Sequence, residues 1–237
     1  MTNWKYTTDG DVAIITWDME DRSMNVMTAD VIRELDGHVD TVLADDSLKG
    51  AVITSAKNDM GGGVDLTMLA EIKATAAKEG GNVGEALFGF VWALHSLYRK
   101  IEVAGADPKT KKGGKVFAAA TPGTALGGVF ELLLACHRRF AADNEKAKLG
   151  LPETLVGLFP GAGGTTRLVR MLGVMGAAEY LLQGKLVNPK KAKAGMLIDE
   201  VVPADELVAK AVEWVKGSSE SDAVKPWDAK GYKIPGG

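Results

Sequence analysis

The chain has 237 residues, 46% of them hydrophobic and 25% charged, with a formal net charge of −3 and a pI near 5.7. That length can bury a substantial core in one large domain, and the composition is that of a globular protein rather than a disordered chain or a membrane protein. The charge balance gives no general attraction to phosphate backbones, and the one dense basic run, Lys109 to Lys115, is short and interleaved with glycine, so no nucleic-acid partner is expected.

The first residues, MTNWKYTTDGDVAIITW, lack both the basic-then-apolar order of a secretory signal and the Arg-rich character of a transit peptide, which predicts a cytoplasmic protein. Asp11 to Trp17 alternates and is β-branched, so it reads as a strand; Gly50 to Thr54 reads as a short buried one. Between them Thr28 can cap a helix whose Val31, Leu35, Val39 and Val42 recur at helical spacing. Parallel strands need such a crossover, so the pattern opens a layered α/β domain. A glycine loop, Gly61 to Gly63, follows, then an amphipathic helix over Val83 to Ile101 with Leu87, Val91, Leu94 and Tyr98 on one side. Gly105 to Gly114 reads as a surface loop and Lys115 to Ala120 as a third strand.

From Gly123 to Cys136 (GTALGGVFELLLAC) paired glycines lead directly into a helix-forming run, which has the pattern of a functional turn. Glu131 interrupts its apolar residues, and nowhere is there a run of about 18 apolar residues that would predict a membrane span. Arg138 to Ala142 follows as a strand and Gly150 to Gly164 as a second glycine- and proline-rich loop. The second half is then mainly helical: Thr165 to Leu172, Ala177 to Gln183, Pro189 to Ala194 with Asn188 as cap, and Asp205 to Lys216. No internal repeat is visible. The expected division is a catalytic domain over 1–203 and a C-terminal helix with a linker-like tail over 204–237, ending in SSESDAVKPWDAKGYKIPGG.

Glycines just before a helix leave its first amides unobstructed, and those donors, with the helix dipole, favour negative charge. Gly127 and Gly128 therefore suit an oxyanion hole; close helix packing is the other reading of the same pair. Glu131 lies one turn beyond, in an otherwise apolar helix. Buried there, its carboxylate needs partners or a raised pKa, as a general acid or base requires; otherwise it sits on a partly wet face. Glu153, in Leu151-Pro152-Glu153, is similarly isolated from other charges. Gly161 to Arg167 (GAGGTTR) is a weak dinucleotide pattern, since Thr166 stands where a glycine is required, and no phosphate loop with a closing lysine is present. Cys136 reads as a core residue. His38, His95 and His137 show no metal-ligand spacing, no Ser, His and acid set stands out, and no metal is expected.

GTALGGVFELLLAC and LGLPETLVGLFPGAGGTTRL resemble the two signature segments of the crotonase, or enoyl-CoA hydratase/isomerase, family, and TSAKNDMGGGVDL resembles its third, with likeness extending to about Val202. The resemblance implies an α/β fold, a crotonase-like ββα spiral core with a helical C-terminal part. It implies that the Val64 and Gly128 amides hold a thioester oxygen, with Gly63, Asp65, Leu66 and Gly127 around the substrate. Glu131 and Glu153 match the two catalytic glutamates, the first as base on water and the second as acid toward Cα. The implied reaction is hydration of trans-2-enoyl-CoA in fatty-acid β-oxidation. The alternatives are a Δ3,Δ2-enoyl-CoA isomerase or an impaired protein that binds acyl-CoA or a partner. No separate cofactor is implied, because coenzyme A is part of the substrate. The expected assembly is a homo-oligomer, a trimer, or a place in a larger fatty-acid oxidation complex. Val64 stands where the family usually has alanine, Val129 where it has a third glycine, and Pro122 where it often has asparagine. PWDAKGYKIPGG is similar to the link that leads into a hydroxyacyl-CoA dehydrogenase portion in large multifunctional fatty-acid oxidation subunits, so a fragment of a longer chain is expected.

Overall fold

The computed structural model describes residues 2–236. Strands β1 (Trp4–Asp9) and β2 (Val12–Trp17) form an antiparallel hairpin. Gly10 supplies the positive φ of its turn, and Trp4 stacks on Trp17 across the pair with ring centroids 4.9 Å apart. The sequence reading found β2 and missed β1, whose residues after Trp4 are mostly exposed along the sheet edge. The crossover then runs as expected: the Thr28 hydroxyl accepts from the Val31 amide and caps α1 (Ala29–Ala44), and β3 (Gly50–Ser55) returns parallel to β2.

Two helices follow, α2 (Leu66–Lys78) and α3 (Val83–Val103). The first escaped sequence analysis because Ala76 is its one buried residue, so no apolar stripe marks it. Strand β4 (Val116–Thr121) lies beside β3, followed by β5 (Ala125–Leu126), α4 (Gly128–Ala135), β6 (Arg138–Ala142) and β7 (Leu149–Gly150). Beyond them come α5 (Gly164–Leu182), α6 (Pro189–Ala194), β8 (Glu200–Val202) and α7 (Leu207–Gly217). The main sheet has the order β1-β2-β3-β4-β6-β8 and is parallel apart from the first hairpin; β5 and β7 form a small parallel sheet of their own.

The two-residue alternation of the strands divides the core into two layers. Ile15, Trp17, Ile53, Phe117 and Ala119 join buried residues of α1, α3 and α4 on one face. Val12, Val52, Ala118 and Phe140 meet Leu207, Ala211 and Val215 of α7 on the other. Helix α5 is broken by Gly173, at φ 76° and ψ 170°, which separates the two pieces expected from the sequence.

The tail after α7 lies on the body of the protein. Lys225 is 5% exposed, and its ammonium donates to the carbonyls of Cys136 (2.5 Å) and Leu134 (3.3 Å) at the end of α4. Asp228 takes a two-pronged bond from Arg99 at 2.7 and 2.9 Å, and the Tyr232 hydroxyl donates to the Arg170 carbonyl.

Candidate active site

Three glycine-bearing loops meet beyond the ends of β3, β4 and β7, laced by backbone bonds. Leu126 donates to Gly61 (3.1 Å), Gly127 to Gly150 (3.0 Å) and Met27 to Gly63 (2.8 Å). Gly127, at φ 54° and ψ −131°, adopts a conformation that side chains resist. Its turn brings Gly128 against Val64 so closely that a methyl group on Gly128 would stand 3.0 Å from a Val64 methyl. Among the described residues neither the Val64 nor the Gly128 amide donates a backbone hydrogen bond. Both residues line a largely apolar cavity of about 760 Å³ walled by α2, α3 and the loop after β7.

The first turn of α4 carries Glu131 into this cavity, 2% exposed. Oε1 is held by the amides of Ala162 (2.8 Å) and Gly164 (2.7 Å), the latter at the N-terminus of α5. Those donors favour the anion. Burial opposes them more strongly, and with the nearby Glu153 charge it lifts the Glu131 carboxyl to about 7. Glu153 opens a 3₁₀ turn, Glu153–Val156, held between Pro152 and a left-handed Gly157. It is half-buried, its Oε2 has no partner among the described residues, and burial raises its pKa too. A methyl group on Gly127 would lie 3.2 Å from Glu153 Oε1, so this second carboxylate flanks the same glycine turn. Two carboxylates and two unused amides around one cavity can hold an anion and move protons beside it.

The structure thus brings together Gly63, Val64, Leu66, Gly127, Gly128, Glu131 and Glu153, all of which line the cavity. Asp65 is set apart. Its carboxylate caps α2 through Thr67 and pairs with Arg22 at 2.8 Å, and these bonds hold it below the usual carboxylate range. Lys73 is the one cation on the cavity wall among the described residues. Cys136 is buried, which pushes its thiol up to about 12 and leaves it inert. No group of three His, Cys, Asp or Glu side chains that could hold a metal ion occurs among the described residues.

Sequence reasoning missed the buried pair of Glu102 and Arg167, each 2% exposed. Arg167 Nε meets Glu102 Oε1 at 2.9 Å, and its Nη1 donates to the Ala162 carbonyl at 2.8 Å, directly behind the Glu131 amides. The two residues come from separate helices, and neither stands in a local pattern that marks it.

Residues 102–224 match the family model for enoyl-CoA hydratase/isomerase, and the chain belongs to that family. The fold agrees. An enoyl-CoA hydratase from Bacillus anthracis superposes with a TM-score of 0.75 at 29% identity, over 91% of this chain and 76% of that one. An enoyl-CoA hydratase from Thermoplasma volcanium gives 0.77 at 23% identity, over 93% and 79%, a likeness of fold alone. Among curated proteins, the fatty acid oxidation complex subunit alpha of Shewanella frigidimarina is 36% identical over 220 residues, 92% of this chain and 28% of that protein. The chain therefore spans little more than a quarter of the length of the curated relatives it matches. No helix among the described residues is long and apolar enough to cross a membrane.

Proposed function

We propose that the protein hydrates trans-2-enoyl-CoA thioesters, with Val64 and Gly128 as the oxyanion hole and Glu131 and Glu153 as the acid–base pair. The observation that carries this reading is the convergence of two carboxylates, both with raised pKa, on the glycine turn whose amides are unused. The thioester oxygen accepts from the two amides. Glu131, ionised and fixed through Oε1, leaves Oε2 to take a proton from water as the water oxygen bonds to Cβ. The electron pair of the Cα–Cβ double bond moves into the enolate, whose charge is met by donors already in place. Protonated Glu153 delivers its proton to Cα. One water is added, and the proton now on Glu131 returns to Glu153 to reset the pair.

The name of the Shewanella relatives, fatty acid oxidation complex subunit alpha, supports a setting in fatty-acid oxidation and a larger assembly. The apolar cavity, with Lys73 as its one wall cation among the described residues, suits an acyl thioester. The test follows loss of the conjugated thioester absorbance for crotonyl-CoA and a longer trans-2-enoyl-CoA in wild type, Glu131→Gln and Glu153→Gln. Turnover that collapses in both variants supports hydration. Conversion of a 3-enoyl-CoA that needs only one glutamate would instead make the protein an isomerase, and binding without turnover would make it an acyl-CoA-binding protein.

A further inference from the structure

Glu102 lies in the last turn of α3 and Arg167 in the first turn of α5. Arg167 reaches both carboxylate oxygens, Nε to Oε1 at 2.9 Å and Nη2 to Oε2 at 3.1 Å. Its third nitrogen, Nη1, donates to the Ala162 carbonyl at 2.8 Å. Ala162 donates in turn through its own amide to Glu131 Oε1, as does Gly164. Gly163 sits between them at φ 100°, and a methyl group there would overlap the guanidinium. The Ala162–Gly164 turn is therefore clamped, with Arg167 behind it and the Glu131 carboxylate in front.

The clamp has a back stop. Glu102 Oε1 also accepts from Trp227 Nε1 at 3.1 Å, and Oε2 accepts from Arg99 at 2.7 Å, while Arg99 is forked onto Asp228. A buried ion pair of this kind is weak evidence for stability, because apolar residues of the same volume often serve as well. Its value lies in where the remaining donor goes, and here that donor holds the turn that holds Glu131.

We propose that Arg167, seated on Glu102 and braced by Trp227 and Asp228 of the tail, is a positioning residue for the Glu131 carboxylate. The inference rests on Glu131 being the base of the proposed hydration. A lysine in place of Arg167 keeps the charge but cannot hold Glu102 and the Ala162 carbonyl at once, since it lacks the planar fork. The tail, on this view, is mechanically part of the site.

The experiment uses the whole chain with carbon-13-labelled glutamate. The Glu131 carboxyl is assigned by comparison with Glu131→Gln, and its titration is followed by NMR in wild type, Arg167→Lys and Arg167→Met beside steady-state kinetics with crotonyl-CoA. The Glu131 midpoint rises in Arg167→Lys as the amide donors drift away and rises further in Arg167→Met, which also removes a positive charge that lowers it, and kcat falls roughly 10- to 100-fold while KM stays within about threefold. An unmoved titration in Arg167→Lys overturns the proposal, whatever happens to kcat. Should wild type not hydrate enoyl-CoA, the proposed function fails, yet the titration still decides the positioning role. Should the Arg167 variants not fold, the double variant Trp227→Phe, Asp228→Asn loosens Glu102 from behind. A smaller upward shift there supports the proposal and an unmoved midpoint overturns it.

Discussion

Glu102 and Glu131 are both 2% exposed, but their surroundings differ. Glu102 is met by the Trp227 indole and by Arg167 and Arg99, with Lys225 nearby, and these cations offset its burial and hold its pKa below the ordinary value. Glu131 receives two neutral amides and faces another carboxylate, so burial prevails and its pKa rises. Burial alone therefore does not mark a reactive group; incomplete compensation does. The fold sets cations directly on the glutamate it uses as a strut and only neutral amides on the one that opens onto the cavity.

Removing the uncompensated acid is the most direct way to break this contrast. Glu131→Gln should cut the hydration rate by about 10²- to 10⁴-fold with the fold intact by circular dichroism; a variant within tenfold of wild type would remove Glu131 from the chemistry. Removing the compensated acid takes away the seat of Arg167 and, beyond any effect on the Glu131 turn, costs stability. Glu102→Gln strands buried positive charge and should cost about 3 kcal/mol in urea unfolding.

The two residues also impose opposite pH dependences. Glu102, whose folded pKa is lowered, contributes stability that is present above the ordinary carboxylate pKa and is lost as pH falls through its depressed value. Glu131, raised to about 7, contributes stability that is full below the unfolded carboxylate pKa and is lost as pH rises through its folded value. Between about pH 4.5 and pH 7 wild type should therefore lose on the order of 3 kcal/mol relative to Glu131→Gln, read as the difference between two urea series. The smallest effect concerns the hole itself. The Val64 methyl beside Gly128 on the cavity wall takes up room next to the hole and should slow turnover, so Val64→Ala raises kcat roughly two- to fivefold; an unchanged kcat would show that the branched side chain costs nothing.

Local patterns made part of this architecture legible before any coordinates. The Thr28 and Asn188 caps, the crossover from β2 to β3 and the glycine entry to α4 are each set by a few neighbouring residues. Strands β5, β7 and β8 were missed because two or three residues carry no period, and their pairing is made by distant chain. The same divide runs through the site. Glu131 could be singled out as a lone acid in an apolar helix, whereas the contact of Glu102 with Arg167 joins residues 65 positions apart. By sequence GAGGTTR is a weak dinucleotide pattern. Its glycines instead let backbone approach a carboxylate: a methyl group on Gly164 would stand 2.9 Å from Glu131 Oε1.

Lys225 gives the tail an inbuilt reporter. Its amine is enclosed between Trp227 and the carbonyls that end α4, and this burial pulls its pKa down to about 7. An acylating reagent in solution reaches that nitrogen only in molecules whose tail has lifted, so its labelling rate is the open fraction multiplied by the rate for a free lysine. Exposed lysines in the same sample, Lys146 and Lys193 for example, provide the reference rate. Mass spectrometry of the unmutated protein thus measures how often the tail lets go.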